Sequence, residues 1–119
     1  MDWEQLRSMD LSGRDVVYED HHAGRVYRGP ISRVRWSAHH LVIVPGWVAE
    51  QRDVTWMHCS MVQPVVPFES QNVTLQLQDD GVIVIRIGTR ATLRILSMGD
   101  NLEHPVPSPS PADALEFAT

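Results

Sequence analysis

The sequence predicts a mainly β fold: a small, strongly bent antiparallel barrel or roll of about six to seven strands, with a short N-terminal helix and a Pro-rich C-terminal tail. Three observations point there. Short apolar runs recur between turn residues, several of them alternating with period two. No intervening stretch is long and periodic enough for a crossover helix. The longest run, RVYRGPISRVRW (25–36), changes the face of its apolar side chains part-way along.

Residues 2–9 read as the helix. Asp2 can cap it, Gln5 stands at the capping-box position, and Trp3 and Leu6 share one face. About two turns of helix are unstable by themselves, so this one is expected to dock. After DLSG the pattern becomes β. Strands are expected at DVVYE (15–19), 25–36, LVIVPGWVA (41–49), VTWMHCSMV (54–62), VTLQLQ (73–78), VIVIRI (82–87) and ATLRIL (91–96). Between the fifth and sixth, DDG is a hairpin signal.

Within 25–36 a straight strand cannot place Val26, Ile31 and Val34 on one face. Gly29 tolerates unusual dihedrals and Pro30 brings no N–H to a ladder, so the bulge or bend is expected at this pair. A bent strand of this length can serve both halves of a small barrel. Trp3, Trp36, Trp47 and Trp56 are expected in the core, with Trp3 and Leu6 closing one end; the alternative is that one or two line a ligand pocket.

By length the chain is one domain, expected over 1–99. Prolines 105, 107, 109 and 111 hold the 100–119 tail extended, and their spacing of two never forms Pro-x-x-Pro. Ser110, Pro111 and Asp113 fit the start of a brief terminal helix. No stretch approaches the roughly 18 apolar residues of a membrane helix. The opening MDWEQLRSM lacks the apolar run of a signal peptide, and lone Cys59 permits no intramolecular disulfide. These features predict a cytoplasmic protein without membrane contact, and Cys59 as inert packing.

The formal net charge of −5 is unevenly spread. Residues 1–20 hold six acids and two arginines, 21–49 four arginines and no acid, and 50–119 nine acids and four arginines, giving −4, +4 and −5. Arg25, Arg28, Arg33 and Arg35, with Tyr27 and Trp36, have the ingredients for single-stranded nucleic acid, where cations track phosphates and rings stack on bases. Against this, an acidic chain is repelled by nucleic acid unless its basic face is large and continuous. The competing reading is a solvated strand face whose arginines pair with nearby acids.

All ten basic residues are arginine, which excludes a P-loop lysine and Schiff-base chemistry. His21–His22 and His39–His40 invite a metal reading, but they flank the two ends of the long strand, so no metal site and no cofactor are expected. There is no Gly-x-Ser-x-Gly elbow and no His-Glu-x-x-His, and Asp79–Asp80 before Gly81 serve a turn. No catalytic residue is assigned, and an enzyme is not expected.

The order of a short helix, LSG, VVYEDHHAGRVYRGPISRVRW and LVIV is similar to the first half of the Sm-like and SH3-like small β-barrels, mainly over residues 1–48. GVIVIRIGTR resembles the second Sm motif. The resemblance implies a helix before a bent sheet. Where the Sm-like family places the Asp and Asn that hold RNA bases, this chain has Arg35 and, near the second, His39. Its Arg-Gly pair is replaced by Arg86 followed by Ile87. The resemblance therefore bears on barrel topology more than on RNA binding.

The functional expectation is a non-catalytic binding or assembly module of unknown ligand, its partner a protein or a second copy. Two alternatives accompany it: nucleic-acid binding through 25–36, and a small apolar ligand inside the barrel.

Overall fold

The computed structural model describes residues 1–48 and 55–97. At the start of helix α1 (Trp3–Arg7), Asp2 Oδ1 accepts the Gln5 N–H at 2.8 Å and Gln5 Oε1 accepts the Asp2 N–H at 2.7 Å. This reciprocal box satisfies donors that a helix start leaves orphaned. Leu6, on the inner face, is fully buried, which docks the helix on the barrel.

Seven strands follow: β1 (Asp15–Asp20), β2 (Arg25–Trp36), β3 (Leu41–Pro45), β4 (Val65–Val66), β5 (Val73–Leu77), β6 (Ile83–Ile87) and β7 (Ala91–Ile95). They form one sheet in the order β4-β3-β2-β1-β7-β6-β5, antiparallel at every step and curled into a nearly closed barrel. Side chains from every strand fill the interior, among them Val16, Ile31, Ile43, Val66, Ile85 and Leu93. Each buried aliphatic side chain of this kind contributes about 1.5–3 kcal/mol.

The long strand does serve both halves. Residues 25–30 pair with β1 and residues 31–36 pair with β3. Its bulge lies two residues beyond the expected Gly29–Pro30 site, between Ile31 and Arg33. Tyr27, Gly29 and Ile31 are buried; past Ser32 the inward set becomes Val34 and Trp36. Pro30 stays in register with Asp15, and its carbonyl accepts the Gly46 N–H at 2.8 Å, so the Gly-Pro pair costs no interruption. Val26 points outward.

Three further expectations are corrected. Where a strand is expected over 54–62, the chain forms helix α2 (Met57–Ser60), ended by Met61 in the left-handed region at φ 59°. Its apolar run lacks alternation, and such a run fits a buried helical turn as well as a strand. The pairing passes instead to β4, between Pro64 and Pro67. Trp47 is 77% exposed, whereas Trp56 is buried and Trp3 and Trp36 pack against the core. Cys59 is exposed on α2. β3 ends at Pro45, and the 100–119 tail lies outside the described residues.

Candidate functional site

The six residues singled out along β2 do not form one surface. Tyr27 is buried and stacks on Tyr18 at 6.0 Å between ring centroids. Trp36 takes the Arg7 guanidinium over its ring at 5.3 Å and meets Phe68 edge-on at 5.5 Å. Arg28 donates from Nε and from Nη2 to Asp15 Oδ2 at 3.0 and 2.8 Å, in a part-buried pair. These three hold the barrel together. Arg25, Arg33 and Arg35 are exposed, and no acid among the described residues pairs with them. Arg33 and Arg35 share a face by strand alternation; Arg25 stands at the far hairpin.

The bend has a second consequence. Residues that flank the two ends of β2, expected to lie far apart, line one cleft of about 390 Å³, walled by Tyr18 and Asp20 of β1, His40 before β3, and Arg90 before β7. The 62–67 segment, with Gln63 and Val65, closes the opposite side. Asp20 Oδ1 is already engaged, accepting the His22 and Ala23 N–H groups at 3.0 Å each. Burial pushes the Tyr18 hydroxyl above its ordinary value of 10.0; Asp20 adds to the shift and Arg90 opposes it. Of the histidines, His21 Nε2 bonds Thr92 Oγ1 at 2.9 Å and His39 pairs with Glu69. Among the described residues no cluster of three or more His, Cys, Asp or Glu side chains could hold a metal ion.

A third feature is made of backbone. β5 pairs with β6 on one side and, among the described residues, with no strand on the other. Asn72 O accepts the Gly88 N–H and Gln78 N–H donates to Val82 O, so the even-numbered residues bond inward to β6. Val73, Leu75 and Leu77 therefore turn their N–H and C=O groups to the open edge. Among the described residues only the Val73 N–H finds another acceptor, Ser70 O at 3.1 Å. Thr74 and Gln76 are exposed, and Leu77 is 49% exposed. No charged residue occurs from 70 to 78. The lack of charge was visible in the sequence; that VTLQL ends the sheet was not.

The small, all-antiparallel, nearly closed barrel is compatible with SH3-like and Sm-like barrels. No protein-family model, curated protein or solved structure matches the chain. No helix among the described residues is long and apolar enough to cross a membrane.

Proposed function

We propose that the chain is a non-catalytic binding or assembly module of the SH3-like or Sm-like small-barrel type, whose contact surface is the open edge of β5. The supporting observation is the row of outward main-chain groups at Leu75 and Leu77, uncharged and proline-free. Such an edge is a template for an added strand, which brings main-chain hydrogen bonds for affinity and side-chain pockets for register. The barrel interior is occupied by its own aliphatic side chains, so recognition falls to the surface. A titration of isotope-labelled protein with short peptides alternating β-branched and polar residues tests this. The amide resonances of Leu75 and Leu77 are expected to move most. Shifts confined elsewhere, or a turnover activity abolished by substituting Asp20 or His40, would overturn the reading.

Arg33 and Arg35, exposed and without an acid partner among the described residues, favour a second reading, weak nucleic-acid binding by charge without ring stacking. It predicts oligonucleotide affinity that falls steeply with salt and is lost in Arg33→Ala plus Arg35→Ala. Affinity indifferent to both would remove it.

A further inference from the structure

We propose that the partner of the β5 edge is a second copy of this chain, joined by antiparallel β5–β5 pairing about a two-fold axis through Leu75. This rests on reading the β5 edge as the contact surface, and adds the occupant and its register.

The argument is one of parity. A two-fold axis at Leu75 sets Leu75 against the partner's Leu75 and Val73 against the partner's Leu77. All of these are positions whose main-chain groups face outward. Shifting the pairing by one residue would oppose outward groups to residues already bonded to β6, and shifting it by two would leave part of the strand without a partner. The register centred on Leu75 thus uses the whole strand. It forms four new main-chain bonds: each Leu75 N–H to the other copy's Leu75 carbonyl, and each Leu77 N–H to the other copy's Val73 carbonyl. The same pairing puts Val73, Leu75 and Leu77 of both copies on one face and sets Thr74 beside the partner's Gln76.

β5 itself brings no charge to this approach, and among the described residues the one cation bonded to it is Arg86 of β6, which donates to Gln76 Oε1 at 3.3 Å. Two copies of net charge −5 repel, yet no charged side chain occurs between Glu69 and Asp79. Half-exposed Leu77, next to the partner's Val73, loses water on pairing. A strand of five residues buries less than the roughly 1,200 Å² of a stable interface, so the dimer is weak and concentration-dependent.

Sedimentation equilibrium of the full chain, from micromolar to near-millimolar concentration, tests the proposal together with two double variants at exposed positions. In Thr74→Lys plus Gln76→Lys, each lysine opposes a lysine of the other copy, and dimerisation is expected to weaken about tenfold or more. In Thr74→Lys plus Gln76→Glu, each lysine meets a glutamate of the other copy, and dimerisation is retained or strengthened. Thermal melts of both variants check that the barrel still folds. A monomer at every concentration, or a dimer indifferent to the double-lysine variant, overturns the proposal. If the chain stays monomeric while the alternating peptides still shift Leu75 and Leu77, self-pairing fails and the binding edge stands. If the peptides shift neither amide, both readings fail.

Discussion

β4 and β5 both lie at the margin of the sheet, β4 with two residues between Pro64 and Pro67, β5 with five residues and no proline. Pro64 and Pro67 bring no N–H, so little of the β4 rim can be extended by a further strand. The 62–67 segment instead forms one wall of the polar cleft. β5 has none of the usual protections of an edge, neither charge, proline nor bulge. The same sheet is thus blunted at one margin and left extendable at the other, and the difference locates where a partner can join.

The largest effect that sharpens this contrast comes from proline. Ile85, fully buried in β6, lies between two paired strands, so Ile85→Pro is expected to cost about 3 kcal/mol or more and to prevent stable folding. Leu77→Pro removes only an outward N–H and is expected to cost about 1 kcal/mol or less in urea denaturation. Equal losses would mean that the β5 edge is engaged. Next in size, Val66→Ala takes a fully buried side chain from β4 and should cost about 2 kcal/mol. Leu77→Ala should cost about 0.5 kcal/mol or less. The short strand, then, holds the barrel through its side chain, whereas the end of the longer one holds it weakly.

A pH experiment separates the cleft from the β5 margin. The neutral Tyr18 hydroxyl is favoured in the fold, so its contribution is complete below the ordinary tyrosine value of 10.0 and is lost as pH rises through the higher folded value. Tyr18→Phe should flatten the alkaline fall in melting temperature. β5 has no titratable side chain, so Leu77→Ala should shift the whole curve without changing its shape. The smallest effect is expected from Arg33→Ala plus Arg35→Ala, within about 0.5 kcal/mol, because both are exposed and neither pairs with an acid among the described residues.

Much of the architecture was legible. Asp2 with Gln5 announced α1, DDG the β5–β6 hairpin, and the parity of Ile31 against Val34 the bend in β2. The bulge was misplaced by two residues because Gly29 and Pro30 are the usual markers, yet Pro30 keeps its ladder position through its carbonyl. α2 was hidden because VTWMHCSMV has no period, and β4 because two residues between prolines give no pattern. The site was less legible. Tyr27 and Arg28, offered as ligand contacts, pack on Tyr18 and pair with Asp15, while Trp36 packs against the core as the other reading of the tryptophans expected. The cleft joins residues from four segments that only the curled sheet brings together, and the open edge depends on strand order, which alternation does not encode.

Amide hydrogen exchange along β5 in dilute and concentrated protein tests the open edge most directly. In dilute solution Leu75 and Leu77 should exchange fast while Thr74 and Gln76 remain slow, and raising the concentration should slow the first pair. Slow exchange at Leu75 and Leu77 in dilute solution would contradict the open edge, and fast exchange there at every concentration would contradict its self-pairing.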